Sequence, residues 1–182
     1  MTETSMNYPE FIPFPKIPRL QKECVVTEKI DGTNGLIYIT DDGDMFVGSR
    51  NRWLSEDSDN FGFHRWTTEN KDELMKLGPG RHHGEWWGSG IQRGYNLPKG
   101  EKRFSLFNVS IWNVENKPAC CYLVPIFYIG EFDTTQITAA MMNLLSVGSL
   151  ASPGFMNPEG LIVFHSSANH YFKVPFDKNH KG

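Results

Sequence analysis

Lys29 closes the run Val25-Val26-Thr27-Glu28-Lys29 and is followed at once by Ile30-Asp31-Gly32-Thr33-Asn34. A lysine so placed can serve as a covalent nucleophile. The other reactive side chains are less well arranged. Cys24, Cys120 and Cys121 are odd in number and lack Cys-x-x-Cys or a histidine at metal spacing, which argues against a disulfide framework and a zinc site and makes them buried small hydrophobes. His82 and His83 are adjacent, so on a strand they point to opposite faces and cannot share a metal. No Gly-x-x-x-x-Gly-Lys-Ser/Thr occurs, and Gly88-Ser89-Gly90-Ile91-Gln92-Arg93-Gly94 has its third glycine one place too late for a dinucleotide fingerprint.

The elements around Lys29 must then hold it at an edge. Val25 to Thr27 read as a strand, Asp31-Gly32 as a turn and 35–40 as the next strand, so the amine stands where rigid scaffold meets loop. Asp42-Gly43 repeats the turn signal between alternating strands and predicts a hairpin. Apolar spacing over 61–77, ending at Gly78-Pro79-Gly80, predicts a helix, and a second runs from a Thr134 or Thr135 cap to about Val147 with Gly148 as its stop. Further strands are expected over 81–86, 104–114, 120–129, 161–165 and 171–174. Strands outnumber helices and rarely alternate with them, which favours an α+β fold with antiparallel sheets.

The chain's 182 residues suit one domain over 1–182, and 39% hydrophobic with 21% charged residues is a soluble globular balance. No run is long enough to span a bilayer, and prolines interrupt the first eighteen residues where a secretory signal would need an unbroken apolar core. A cytoplasmic protein is expected, in the host cytoplasm if the chain is viral. The net charge of -3 gives no global field for nucleic acid, so any such contact is local. Basic residues gather at Arg50 and Arg52, at Arg81, Arg93, Lys99, Lys102 and Arg103, and at Lys173, Lys178 and Lys181.

Five segments, taken in order, resemble the motifs of the covalent nucleotidyltransferase superfamily of polynucleotide ligases and RNA capping enzymes. Lys29-Ile30-Asp31-Gly32-Thr33-Asn34 resembles motif I, His83-Gly84-Glu85-Trp86-Trp87-Gly88 motif III, and Phe104-Ser105-Leu106-Phe107-Asn108-Val109 motif IIIa. Pro158-Glu159-Gly160-Leu161-Ile162-Val163-Phe164 resembles motif IV and Phe172-Lys173-Val174 the start of motif V. Asn34 stands where DNA ligases and capping enzymes usually carry arginine, and Gly84-Glu85-Trp86-Trp87-Gly88-Ser89-Gly90-Ile91-Gln92 is similar to the Gly-Glu-x-x-Gly-x-Gly-Ile-Gln of nick-sealing ATP-dependent RNA ligases.

The resemblance implies a nucleotidyltransferase (ATP-grasp-like) domain of two antiparallel β-sheets with flanking helices and no OB-fold. It implies ATP and Mg2+ or Mn2+ as cofactors and RNA as partner, as a nicked duplex or as tRNA ends, in RNA repair. Lys29 would take AMP from ATP, pass it to a 5'-phosphate and allow a 3'-hydroxyl to displace it. A free lysine has a pKa near 10.4, so freeing the amine at neutral pH costs roughly 4–5 kcal/mol. Partial burial behind Val25-Val26 and a second cation would lower that cost, and Lys173 is the expected second charge, set by the resemblance against the α-phosphate. By the same resemblance Phe107 stacks on adenine, with Phe104 second. Glu85 accepts from ribose hydroxyls, and Arg50 donates to ribose or an incoming phosphate. Glu28, Ile30 and Asn34 also line the nucleotide. Glu159 holds the metal through water, while Gln92, Arg93 and Lys178 meet the polynucleotide end.

Two residues depart from the family pattern. Asn108 replaces the aspartate that usually follows the motif IIIa aromatic, and Pro175 takes the place of a second motif V lysine, for which Lys178 is the nearest substitute. The last residue, Gly182, follows Lys173 closely, so a monomer without a C-terminal domain is expected, with a partner that supplies one as the open alternative. A DNA nick ligase, a GTP-using capping-type guanylyltransferase and a catalytically inactive RNA-end-binding module also remain open.

Overall fold

The computed structural model describes residues 9–176, whose strands form two sheets. In chain order the elements are β1 (Glu23–Lys29), β2 (Thr33–Ile39), β3 (Met45–Gly48), α1 (Phe63–Glu69), α2 (Lys71–Leu74), β4 (Gly80–Gly88), β5 (Lys102–Leu106), β6 (Tyr122–Leu123), β7 (Ile126–Glu131), α3 (Thr134–Val147), β8 (Gly160–His165) and β9 (His170–Pro175). One sheet has the order β7-β1-β8-β9 and the other β3-β2-β4-β5-β6. The mixed α+β class expected from the sequence is therefore present. The expected antiparallel pairing holds except between β5 and β6, which pair in parallel through Ser105–Tyr122 and Leu106–Leu123.

Strand alternation decides what each sheet buries. Cys24 and Val26 of β1, with Leu161 and Val163 of β8, turn to Ala140 and Leu144 of α3 and make one core. Thr27 and Lys29 face the other way. In the second sheet Ile37, Ile39, Trp86, Phe104 and Leu106 pack on Phe63 and Leu74 beneath α1 and α2. Each fully buried side chain of this size contributes about 1.5–3 kcal/mol. The opposite face of that sheet carries Asn34, Leu36 and Tyr38 on β2, directly across from Glu85, His83 and Arg81 on β4. A third cluster of Ile30, Trp87, Tyr95, Val124 and Phe155 joins the sheets at the turn that follows Lys29.

Several expected elements are shorter or broken for local reasons. The strand over 104–114 ends at Leu106, because Asn108 Oδ1 accepts from Ser110 N and Oγ and turns the chain. The strand over 120–129 splits into β6 and β7, which lie in different sheets on either side of Pro125, a residue with no N–H for a ladder. The helix over 61–77 becomes α1, α2 and a 3-10 turn over Met75–Leu77. Asp133, rather than Thr134 or Thr135, caps α3 by accepting from Thr135 N at 2.7 Å, while Gly148 stops the helix with φ 77°. The hairpin at Asp42-Gly43 joins β2 to β3 as expected. Among the described residues no helix is long and apolar enough to cross a membrane.

Candidate active site

Lys29 is the last residue of β1, and its row in the sheet runs through Gly160 of β8 to Pro175 of β9. The turn behind it is held at several points. Asp31 N donates to the Tyr95 hydroxyl at 2.8 Å, and Gly32 N donates to Glu85 Oε1 at 3.0 Å. Gly32 lies so close to β4 that an added Cβ would stand 2.5 Å from the Trp86 carbonyl oxygen, so only glycine lets the turn dock there. Arg93 then ties the turn to the segment before β8. Its Nε donates to Asp31 Oδ2 at 2.8 Å, and its Nη1 donates to Asn157 O and Oδ1 and to Pro158 O. That segment carries Glu159.

The clamp therefore fixes the distance between Lys29 and Glu159. Lys29 Nζ lies 2.6 Å from Glu159 Oε2, with the lysine side chain 23% exposed and the glutamate side chain 8%. Oε2 is buried, and among the described residues the Lys29 ammonium is the partner found for it. The contact is with an anion, whereas a second cation was expected beside this amine. Lys173 lies on β9 opposite Ile162 and hence in the row of Thr27. Two strand spacings and two residues put its Cα about 12 Å from that of Lys29. It shares the face of the sheet with Lys29 and is exposed, but it does not pair with it in this structure.

Glu85 is the third charge at the site. One carboxylate oxygen receives Gly32 N and the other Asn34 Nδ2 at 3.2 Å, so this residue pins both ends of the turn after the lysine. Burial pushes its carboxyl up to about 7 from the usual 4.5; the Lys29 ammonium and the Gly32 donor pull it down, and the Glu159 and Asp31 charges push it up. Glu28 points to the opposite face of β1. Its Oε1 receives the Ser149 hydroxyl and its Oε2 receives Leu150 N and Ala151 N at 2.9 and 3.0 Å, while burial raises its carboxyl above 4.5. The side chain expected at the nucleotide thus anchors the loop after α3.

Beside Asn34 a cleft of about 710 Å³ opens over the free face of the second sheet, with Phe107, Asn108, Arg50 and His83 in its walls. Phe107 is half-buried and packs at the edge of the cluster that contains Ile30, whereas Ile30, expected at the nucleotide, is itself buried in that cluster and does not line the cleft. Phe104, the second choice for a stacking ring, is fully buried between Phe63 and Trp66 and is unavailable to a ligand. Arg50 is exposed on the cleft wall. Gln92 is exposed with φ 44°, and its neighbour Arg93 spends its donors on the clamp rather than facing outward. Lys178 lies outside the described residues.

Sequence reasoning missed the supports: Tyr95, Asp31, Asn157 and Ser149. Asp31 appeared only as a turn former, and its partners Arg93 and Tyr95 are 62 and 64 residues away along the chain. No spacing rule reaches that far. A divalent ion fits the Glu159 carboxylate, whose buried Oε2 has no partner besides the Lys29 ammonium among the described residues. Among the described residues no three His, Cys, Asp or Glu side chains converge on one point, so such an ion would draw most of its ligands from water or phosphate.

Among curated proteins none matches the chain in sequence. Solved structures of RNA ligase from Naegleria gruberi do match in fold. An apo variant superposes with a TM-score of 0.61 at 22% identity, over 92% of this chain and 57% of that one. A variant with ATP and Mn gives a TM-score of 0.60 at 22% identity, over 86% of this chain and 49% of that one. The ligase with PPi gives 0.61 at 22%, over 92% and 57%. The chain thus spans about half the length of these ligases. The RNA ligase family model matches residues 22–174, nearly the whole of the described chain and all of the site just built, and the chain belongs to that family.

Proposed function

We propose that this chain is the nucleotidyltransferase domain of an ATP-dependent RNA ligase, with Lys29 as the residue that becomes adenylated. The observation that carries the reading is the Lys29–Glu159 contact, in which an amine at a strand end meets a buried carboxylate oxygen that has no other partner among the described residues. In the first step Lys29 Nζ, as the free amine, forms a bond to the α-phosphorus of ATP. The bond from that phosphorus to the bridging oxygen breaks, pyrophosphate leaves with the electron pair, and the nitrogen gives up a proton to solvent, leaving a phosphoramidate with an uncharged nitrogen and one anionic phosphoryl oxygen. The AMP then passes to a 5'-phosphate of RNA, and a 3'-hydroxyl displaces it to form the new phosphodiester.

Each residue has a task that its surroundings suit. Glu159 would hold Mg2+ or Mn2+, which would supply positive charge beside the amine and the phosphates. The Phe107 ring would stack on adenine, with the buried Ile30 supporting it from the core cluster behind. Asn34 and Glu85 would meet the ribose, with Glu85 also holding the turn. Lys173 and Arg50 would neutralise phosphate, Lys173 from the α-phosphate side, which requires the nucleotide to span the gap between β9 and Lys29. Gln92 and Lys178 would meet the RNA end. Arg93 acts as a positioning residue through Asp31 and the Asn157-Pro158 carbonyls. A monomer at work in the cytoplasm completes the reading.

Incubation with α-labelled ATP and Mg2+ or Mn2+ tests it. Label is expected on the wild-type protein, at a mass increase of one AMP on the Lys29 peptide. None is expected on Lys29→Ala or Lys29→Arg, the second of which keeps the charge and removes the nucleophile. A wild-type protein that stays unlabelled, or that labels with GTP alone, refutes the proposal.

A further inference from the structure

The free face of the second sheet does not end at the nucleotide cleft. Along β4 its side chains run Glu85, His83, Arg81, and along β2 Asn34, Leu36, Tyr38, each pair in direct register. Glu85 and Arg81 are thus about 13 Å apart. At the far end Tyr38 is paired with Phe46 of β3, and the two rings stack with centroids 6.3 Å apart. The Trp53 ring joins them at 6.4 Å from Tyr38 and 6.0 Å from Phe46. The Arg81 guanidinium lies over the Tyr38 ring at 4.3 Å from its centroid. Phe46 and Trp53 are 48% and 53% exposed and Arg81 is exposed, so two rings and a cation stand open to solvent beside the half-buried Tyr38 ring.

We propose that Tyr38, Phe46, Trp53 and Arg81 form a stacking platform for unpaired nucleotides of the RNA strand being joined, an inference that rests on the ligase reading above. Continuity carries it: Arg81 belongs both to the platform and to the wall of the cleft that holds Asn34, Arg50 and Phe107. A strand leaving the cleft would therefore pass from cations onto aromatic faces without crossing the core. Ring faces bind splayed bases of any sequence, and a base can stack there only when it is not paired within a helix. The platform thus favours single-stranded ends over a fully paired nick. Past it the hairpin turn presents Asp41, Asp42 and Asp44 to solvent, a charge that repels phosphate and bounds the path.

Fluorescence anisotropy with a labelled, 5'-phosphorylated single-stranded RNA and the same RNA in a fully paired nicked duplex tests this. Phe46→Ala and Trp53→Ala are each expected to weaken single-strand binding about tenfold or more, the usual range for loss of a stacking ring, and to leave duplex binding within twofold. Trp53→Phe keeps a ring and should recover most of the loss. Lys29 labelling with α-labelled ATP, read on the same variants, should match wild type and shows that they fold. Equal single-strand binding by wild type and both alanine variants overturns the platform, as does an equal loss on single strand and duplex. A wild-type protein that forms dimers through this face in sedimentation, dispersed by Trp53→Ala with RNA binding unchanged, also overturns it. Failure of wild-type labelling refutes the ligase reading instead, and the binding comparison still judges the platform on its own.

Discussion

Replacing Glu85 by glutamine turns its burial into a measurable pH dependence. The folded protein raises this carboxyl to about 7 from the usual 4.5, mainly by burial, so between those values the folded state binds a proton that the unfolded chain has released. Stability from this group is accordingly fullest below the unfolded value and is lost as pH rises through about 7. Integrating the linkage from pH 5 to pH 8 gives a loss of about 2.5 kcal/mol specific to Glu85. Glutamine has no such titration. It retains one oxygen for Gly32 N but turns an amide toward Asn34, which imposes a constant offset at every pH. Urea unfolding of wild type and Glu85→Gln at pH 5, 6, 7 and 8 separates the two effects, because the offset cancels when differences are compared across pH. The unfolding free energy of the variant relative to wild type is expected to rise by about 2.5 kcal/mol between pH 5 and pH 8. A relative stability that stays flat over this range would refute the argument that Glu85 is buried without full compensation.

The clamp and the Glu28 anchor give two further tests. Arg93→Ala leaves Asp31 without its guanidinium and three carbonyl oxygens without their donor, so it should lower stability by about 1–3 kcal/mol in urea unfolding. Labelling of Lys29 should fall further than the folded fraction does, and Arg93→Lys should recover little because one ammonium cannot span both segments. Glu28→Gln replaces an acceptor for Ser149 Oγ, Leu150 N or Ala151 N by a donor and should cost about 1–3 kcal/mol by the same assay. A loss of ATP affinity at unchanged stability would instead return Glu28 to the nucleotide.

What was legible in the chain was what local rules encode. Strand alternation, the Asp-Gly turns and the glycine stop of α3 come from neighbours a few residues apart and were legible, while one strand was read eight residues too long, another was read across two sheets and one helix was read unbroken. The errors have local causes too: Asn108 folding back on Ser110, Pro125 moving the chain between sheets, and Asp133 taking the cap from the threonines that follow it. The motif segments found their places for a related reason. Each brings its own residue type to the end or the face of a strand, and period-two geometry then settles whether Glu85 or Trp86 faces the cleft.

What was not legible is the set of electrostatic partners. That Lys29 meets Glu159 depends on β1 and β8 sharing a register in which Gly160 lies opposite the lysine, and on Arg93 bracing the residues before it. Glycine at 160 is itself part of this: it adopts φ 147°, and an added Cβ would collide with the Val174 carbonyl. β8 can therefore sit close enough to β9 to carry Glu159 over Lys29 only without a side chain at that position. A lysine flanked by cations and a lysine flanked by a carboxylate call for different ways of freeing the amine. On the ligase reading proposed above, a divalent ion held by Glu159 would replace the ammonium as the partner of that carboxylate, so metal loading and labelling of Lys29 are expected to go together. Labelling of Lys29 should accordingly depend on metal more steeply in wild type than in Glu159→Gln, where the anion that holds the ammonium is already gone.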